Sequence, residues 1–197
     1  MKKRIAFFDF DGTITTHDTL LEVIKFHRGR FRFYFGFIIN SPFLLAYKAG
    51  IISNQAAKER ILRYFFGGMP LTVFQQQCDA FAGTALLSLI RAKAMEEIAR
   101  LKAAGASIII VSASAENWLQ QWCAVNELSL VGTQLEVANG LLTGKIAGLN
   151  CYGNEKVNRI KTGFDLSQYD EIFCYGDTKG DKPMLQLATF SFYKPFR

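Results

Sequence analysis

The sequence predicts an α/β fold, in which helices cover both faces of a parallel sheet and a helical cap follows the first strand. Short apolar runs typical of fully buried strands recur along the chain, and helical stretches separate them. Nearly one hundred residues separate Thr13 from Ser112, whereas a whole βαβ unit needs only about 30. A segment the size of a small helical domain is therefore predicted between the first two strands.

Four apolar runs are predicted to form the sheet: Arg4–Phe10, Ser107–Val111, Glu171–Tyr175 and Phe190–Tyr193. The helices predicted outside the insertion are about Arg91–Ala104, Ala115–Val125, a stretch after Gly153-Asn154, and one whose first turn carries Pro183. Between Leu130 and Ile146, apolar residues flank Asn139-Gly140, which is the pattern of a β-hairpin. We place this hairpin near the sheet edge.

The inserted segment, residues 16–85, is predicted to be the helical cap. Turn signals at Asn40-Ser41-Pro42 and Gly67-Gly68-Met69-Pro70 divide it into helices. Residues 1–15 and 86–197 then form the α/β core. Because ligands bind outside the carboxyl ends of the strands in open α/β sheets, we expect the cap to cover that edge.

Composition indicates a globular protein with a full core, because 50% of the residues are hydrophobic and 20% are charged. The net charge of +6 suits nucleic acid, anionic lipid or anionic small substrates, or simply a solvated basic surface. Since the positive charge is dispersed and we find no binding motif, we expect no nucleic-acid partner. The cysteines form no CxxC pair, which predicts free core thiols and a cytoplasmic location. The N-terminal apolar run is broken at Asp9, so we expect no signal peptide.

Two carboxylates follow the first predicted strand in the string Asp9-Phe10-Asp11-Gly12-Thr13. Carboxylates at i and i+2 point the same way from an extended chain and repel each other unless a cation neutralises them. Magnesium prefers carboxylate, carbonyl and water oxygens. The string therefore predicts a Mg²⁺ site, with an ordinary acidic turn as the simpler alternative.

Polar groups also follow the second and third predicted strands. Ser112 and Ser114 precede a helix, where hydroxyl and free backbone N–H groups form an anion site. Asp177 ends the third strand, Asp181 follows four residues later, and Lys156 lies early in a helix. Taken singly, Ser114 and Asp181 are also typical helix caps, and Lys156 is a typical solvated lysine. The prediction of a phosphoryl-transfer site depends on their joint order.

With these motifs in this order, the sequence resembles the haloacid dehalogenase-like superfamily, and within it the phosphoserine-phosphatase-like branch. The resemblance spans about Ile5–Leu185 and implies a Rossmann-like core. It implies a Mg²⁺-dependent phosphomonoester hydrolase, with Asp9 as the nucleophile that forms an aspartyl phosphate and Asp11 as general acid and base. The implied phosphate-binding positions are Gly12, Thr13, Ser112, Ala113 and Lys156. The implied metal ligands are Asp9, Asp11 through its backbone carbonyl, Asp177, and Asp181 directly or close by.

Substrate selection is expected to come from the cap. Asp18 and Arg60 lie where the resembled phosphoserine phosphatases place an acidic residue and an arginine that read the substrate. The segment Arg28–Ile52 combines basic residues with a dense aromatic and aliphatic run. This segment either packs inside the cap or contacts an anionic membrane surface. Because a branch of the family acts on phosphatidylglycerophosphate, both a phosphoserine-like ester and a lipid phosphate stay open as substrates.

Rival functions would use the same residues. A receiver module would hold an aspartyl phosphate, but the acid/base at Asp11 and the long insertion have no role in it. A phosphotransferase or phosphomutase of the same fold would pass the phosphoryl group to a hydroxyl instead of water. Rapid turnover of phosphomonoesters would distinguish a hydrolase from a receiver.

Overall fold

A parallel sheet forms the centre of the molecule. The computed structural model describes residues 2–197. The strands are β1 (Arg4–Phe8), β2 (Ala106–Ala115), β3 (Ser129–Thr133), β4 (Leu135–Ala138), β5 (Leu141–Ile146), β6 (Glu171–Gly176) and β7 (Phe190–Tyr193). The main sheet has the order β3-β2-β1-β6-β7, and every neighbouring pair in it is parallel. The predicted α/β class is confirmed.

Helices cover both faces of this sheet. They are α1 (Thr19–Lys48), α2 (Asn54–Phe66), α3 (Leu71–Gly83), α4 (Ala92–Ala103), α5 (Glu116–Val125), α6 (Asn154–Gly163) and α7 (Lys182–Leu185). Successive residues of β1 point to opposite faces. Phe8 joins the larger core, which includes Ile98 of α4, whereas Phe7 joins a smaller core with Ile160 of α6 and Met184 of α7. Because β1 is buried on both faces, its sequence is a continuous apolar run.

The insertion after β1 consists of α1, α2 and α3, but the turn predicted at Asn40-Ser41-Pro42 is wrong. Helix α1 continues through Pro42 and is broken instead at Gly29, where φ is 76°. Proline cannot donate a hydrogen bond to the carbonyl four residues back, at Ile38. Ser41 Oγ donates to that carbonyl at 2.7 Å, so the helix continues with its acceptor satisfied.

The hairpin is confirmed as β4 and β5, but the two strands form a separate sheet rather than the edge of the main sheet. The main sheet ends at β3 on one side and at β7 on the other, and the sequence did not separate β3 from the hairpin. Backbone hydrogen bonds tie the hairpin to the connection between α2 and α3: Leu142 N donates to Met69 O at 2.9 Å, and Gly68 N donates to Leu142 O at 2.8 Å. The division into residues 1–15 and 86–197 against 16–85 stays a prediction.

Candidate active site

The string Asp9–Thr13 leaves the end of β1 through a tight turn at Phe10–Ile14. The backbone N–H of Asp9 still bonds the carbonyl of Tyr175 in β6, at 2.9 Å. Gly12 has a φ of 78°, and a Cβ placed there would lie 2.5 Å from Asp177 Oδ2. Only glycine therefore lets the turn approach the end of β6 closely.

Asp9 is 6% exposed, and both of its carboxylate oxygens accept hydrogen bonds. Lys156 Nζ donates to Oδ1 at 2.6 Å, and Thr13 Oγ1 donates to Oδ2 at 2.9 Å. Burial raises the pKa of Asp9 to about 7, and the Lys156 ammonium acts in the opposite direction. The carboxylate is thus held in one orientation by groups that the sequence had singled out.

Lys156 is buried between two carboxylates, so its interpretation as a solvated lysine is wrong. Its Nζ lies 2.6 Å from Asp9 Oδ1 and 2.8 Å from Asp181 Oδ1. Burial opposes the charge of Lys156, but the two carboxylates raise its pKa above the ordinary value. Asp181 Oδ2 accepts from Thr178 N at 2.9 Å and from Thr178 Oγ1 at 2.8 Å, which closes a capping box over the short 3-10 turn Lys179–Asp181. Its side chain makes no capping hydrogen bond to α7, the helix that carries Pro183, so the simpler alternative of a cap for that helix is wrong.

Three carboxylates at this edge form a set suited to a metal ion. Oxygens of Asp9, Asp177 and Asp181 lie within 4.8 Å of one another. Asp177 Oδ1 is buried and has no hydrogen-bond partner among residues 2–197, while Oδ2 accepts from the Arg197 guanidinium. Burial raises the pKa of Asp177, Asp181 adds to the increase, and Arg197 opposes it. Hard carboxylate oxygens with one unsatisfied acceptor fit Mg²⁺.

The carboxylate of Asp11 lies outside this acidic set and points toward Ser114. Its Oδ1 accepts from Thr19 N at 2.7 Å, and its Oδ2 accepts from Ser114 Oγ at 2.6 Å. Trp118 Nε1 donates to Thr19 Oγ1 at 3.0 Å, and Thr19 Oγ1 lies 2.9 Å from Ser114 Oγ. Because Ser114 gives its single hydroxyl proton to Asp11, Thr19 is the donor to Ser114, and the chain runs from Trp118 to Thr19 to Ser114 to Asp11. Ser114 is therefore not the cap of α5, whose N-cap is Ala115.

Ser112 and Ala113, which precede Ser114 near the end of β2, differ in exposure. Ser112 is fully buried, and its Oγ accepts from Ser114 N at 3.0 Å. Ala113 lines the cavity above Asp9, and its carbonyl accepts hydrogen bonds from Lys58 Nζ and from Thr133 Oγ1. Hydrogen bonds from α2 and from β3 thus hold the end of β2 in place. Ser112 itself does not line the cavity.

A cavity of about 320 Å³ opens over this edge of the sheet. Its core side is polar and its cap side is largely apolar. The polar lining residues are Asp9, Asp11, Asp18, Asn54, Lys58, Ser114, Asn150, Tyr152, Lys156, Thr178 and Asp181. The apolar lining from α1 and α2 comprises Leu20, Leu21, Phe37, Leu44, Ala57 and Ile61, with Tyr47 beside them. The predicted site residues Gly12, Thr13, Ser112 and Asp177 do not line this cavity.

The cap contributes Lys58 to the cavity rather than the predicted Arg60. Lys58 Nζ bonds the Ala113 carbonyl and lies 3.3 Å from Asn150 Oδ1. Arg60 lies outside the lining, where its Nε donates to Asn40 Oδ1 at 2.9 Å and its guanidinium covers the ring of Phe43. Burial lowers the pKa of Lys58 to about 8. The structure therefore does not bring Arg60 to the site.

Asp18 does line the cavity, from the start of α1. Its Oδ1 caps the helix by accepting from Leu20 N at 2.9 Å and Leu21 N at 3.3 Å. Burial raises the pKa of Asp18 to about 6, and the neighbouring Asp11 carboxylate adds to the increase. A capping role and a position in the cavity are both present at this residue.

Comparison with known proteins identifies the family. Residues 6–186 match the haloacid dehalogenase-like hydrolase family. The chain belongs to the haloacid dehalogenase-like hydrolases. Protein CicA of Caulobacter vibrioides is similar to this family member, with 32% identity over 192 residues that cover 96% of the chain and 85% of CicA.

Solved structures show the same fold. A protein of unknown function from Bordetella pertussis Tohama I superposes with a TM-score of 0.83 at 21% identity, over 97% of this chain and 89% of that one. A substrate-bound phosphoserine phosphatase superposes with a TM-score of 0.66 at 18% identity, over 98% and 86% of the two chains. The haloacid dehalogenase-like fold that the resemblance implied is confirmed, and phosphoserine phosphatase shares it. Membership of this family supports a hydrolase activity.

Proposed function

We propose that this chain is a Mg²⁺-dependent phosphomonoester hydrolase that works through an aspartyl phosphate on Asp9. The observation that carries the proposal is the buried Asp9 carboxylate, which Lys156 and Thr13 orient on the core side of the cavity. Asp177 and Asp181 lie beside it, within the 4.8 Å carboxylate set. A nucleophile, a cation and a metal-binding group therefore converge where a phosphoryl group would enter.

In the first step, the Asp9 carboxylate attacks phosphorus, and the bond between phosphorus and the alcohol oxygen breaks. Asp11, which lines the same cavity, gives its proton to the departing alcohol. In the second step, Asp11 takes a proton from water, whose oxygen attacks the aspartyl phosphate. Inorganic phosphate leaves, and the Asp9 carboxylate and protonated Asp11 are restored.

Lys156 neutralises charge on the phosphoryl group from the core side of the cavity. Asp9 and Asp177 would hold Mg²⁺, together with the Asp11 backbone carbonyl, and Asp181 would bind it directly or orient Lys156. When bound, the ion supplies positive charge to the phosphoryl oxygens. The backbone N–H groups of Thr13 and Ala113 are proposed to position those oxygens, while Ser112 Oγ accepts from Ser114 N and supports the strand end.

The cavity supports two substrate classes. Its cap side is dominated by apolar side chains of α1 and α2, which favours a phosphomonoester with an apolar alcohol, such as a lipid phosphate. Asp18 and Lys58 supply one carboxylate and one ammonium on the same side, which suits the zwitterionic head of a phosphoserine-like ester. We favour the amphiphilic ester, because apolar groups make up the larger part of the cap wall.

Phosphate release from a panel of esters tests the function. The panel contains phosphoserine, polyol phosphates and phosphatidylglycerophosphate in mixed micelles, each with Mg²⁺ and with EDTA. We expect Mg²⁺-dependent release that Asp9→Asn abolishes, while the exposed-carboxylate control Glu127→Gln leaves it unchanged. Release that survives Asp9→Asn would contradict the proposal. Transfer of the phosphoryl group to an added alcohol in place of water would identify a phosphotransferase.

A further inference from the structure

Helix α1 after Gly29 is apolar on two opposite sides. The side that packs onto the protein carries Phe33, Gly36, Phe37, Asn40 and Leu44. The opposite side, here called the outer face, carries Phe31, Tyr34, Phe35, Ile38 and Leu45. A surface helix ordinarily turns polar residues to solvent, so the outer face departs from the usual amphipathic pattern.

The exposure of the outer face is large. Phe31 is 83% exposed, Ile38 69% and Leu45 65%, and Ile51 just beyond the helix is 76% exposed. Monomeric soluble proteins rarely expose contiguous apolar patches larger than a few hundred Å², and such patches mark protein or membrane contacts. The outer face is therefore suited to a partner that accepts aromatic and aliphatic side chains.

Positive charge flanks the outer face. Arg30 and Arg32 are exposed at its N-terminal end, and Lys48 is exposed at its C-terminal end. Arg28 is fixed nearby, since its Nε donates to Phe65 O at 2.8 Å. From Val23 to Lys58 the sequence contains no aspartate or glutamate. The surface is thus apolar at its centre and basic at both ends, with no acidic residue between.

We propose that the outer face of α1 docks on the surface of an anionic lipid bilayer. The apolar side chains would enter the boundary between head groups and acyl chains, and Arg30, Arg32 and Lys48 would meet anionic head groups. Within residues 2–197, no helix has the length and apolarity needed to cross a bilayer. The helix would therefore lie along the surface.

Charge favours a bilayer over a second copy of the chain. A two-fold interface places the same patch on both subunits, so the basic residues of one outer face would meet those of the other without an acidic residue between them. Anionic lipid supplies the opposite charge at every position. The bilayer is therefore the occupant that satisfies both the apolar centre and the basic ends.

Docking would also bring the cavity close to the membrane. Phe37, Leu44 and Tyr47, which belong to the same helix, line the cavity above Asp9. This consequence depends on the proposed function, because it concerns access of a lipid phosphate to the nucleophile. The docking itself does not depend on it, and its test requires no turnover.

Co-sedimentation with vesicles tests the docking. The full chain is mixed with vesicles of phosphatidylcholine alone or of equimolar phosphatidylcholine and phosphatidylglycerol. We expect binding to the anionic vesicles that weakens as salt is added. The triple variant Phe31→Ser, Ile38→Ser, Leu45→Ser should lower the partition coefficient about tenfold or more. Arg30→Gln and Arg32→Gln should each lower it about fivefold.

Matched controls separate docking from general effects. The variant Leu87→Ser, Val125→Ser, Leu149→Ser removes three exposed apolar side chains elsewhere and should bind normally. Lys145→Gln and Lys161→Gln, at exposed positions outside α1, should also bind normally. Wild-type protein that ignores anionic vesicles, or outer-face variants that bind as wild type does, would overturn the proposal. Sedimentation as a dimer that the triple variant dissociates, without vesicle binding, would assign the outer face to a second copy instead.

Discussion

Ser114 donates a hydrogen bond of 2.6 Å from its Oγ to Oδ2 of Asp11. Behind Ser114, Thr19 and Trp118 extend the hydrogen-bond chain into the protein, and Thr19 donates to Ser114 because the single Ser114 hydroxyl proton is given to Asp11. The chain joins the first turn of α1 to α5 and to the proposed acid/base. We therefore regard Ser114 as a positioning residue for Asp11.

Replacing Ser114 by alanine should lower kcat about tenfold and leave KM nearly unchanged, because a misoriented acid/base slows proton transfer without altering substrate contacts. Ser114→Thr keeps the hydroxyl and should recover most of the activity. Steady-state kinetics on the best ester of the panel provides the measurement, with the exposed Ser129→Ala as control. A change confined to KM would contradict the positioning role.

Lys58→Met should raise KM about tenfold, because a half-buried ammonium that lines the cavity is lost where an anionic substrate binds. Arg60→Met should leave KM nearly unchanged, because Arg60 contacts Asn40 and Phe43 outside the cavity. Parallel kinetics of the two variants make the comparison. The reverse result would restore Arg60 as the substrate-reading residue.

The pKa of Lys58, lowered to about 8 by burial, predicts a pH effect on binding. The ammonium is present below this pKa and is lost as pH rises through about 8, so KM should increase on the alkaline side. Lys58→Arg retains its charge at these pH values and should flatten the increase. The range from pH 7 to 9 extends about one unit either side of this pKa. A wild-type KM that stays constant over this range would show that the Lys58 charge takes no part in binding.

Asp177→Asn should weaken Mg²⁺ binding about tenfold or more, because the buried Oδ1 without a hydrogen-bond partner is the acceptor best placed for the ion. Isothermal titration of the metal-free protein with Mg²⁺ measures the affinity without turnover. Glu127→Gln, which removes an exposed carboxylate, serves as the charge-matched control. Equal affinities in Asp177→Asn and wild type would remove Asp177 from the metal site.

His27 should make the protein less stable in acid. Its ring packs edge-on against Phe66 and Phe74, and burial lowers its pKa from 6.5 to about 4, with Arg28 adding to the decrease. The unfolded chain therefore takes up a proton first, so this contribution is complete above pH 6.5 and is lost as pH falls from 6.5 to about 4. Urea denaturation of wild type and His27→Phe at pH 8 and pH 5 should show a smaller loss in the variant. Equal losses would mean that other groups govern acid stability.

The core of the fold and most of the proposed site could be predicted because their signals are local. Buried parallel strands give continuous apolar runs, and Asp9, Ser112 and Asp177 each occur where such a strand ends or just inside its end. The continuation of α1 through Pro42 has no such local signal, because proline usually ends a helix. Here the Ser41 hydroxyl donates to the carbonyl that proline leaves without a donor.

Lys58, the α2 lysine that lines the cavity, was not predicted from the sequence. The inward side of α2 carries Asn54, Ala57 and Ile61, and Lys58 falls on the same side at helical spacing. This helical spacing favours Lys58 over Arg60 as the cavity residue. The link from Ser114 to Thr19, 95 positions apart, has no local sequence signal and required the tertiary structure.

Covalent trapping of the enzyme during turnover tests the central claim most directly. Acid quenching with a radiolabelled phosphomonoester, followed by peptide mapping, should place hydroxylamine-sensitive phosphate on the peptide that contains Asp9. The label should be absent from Asp9→Asn, which should also release no phosphate. Unimpaired phosphate release by Asp9→Asn, with no label on this peptide in the wild type, would contradict the account.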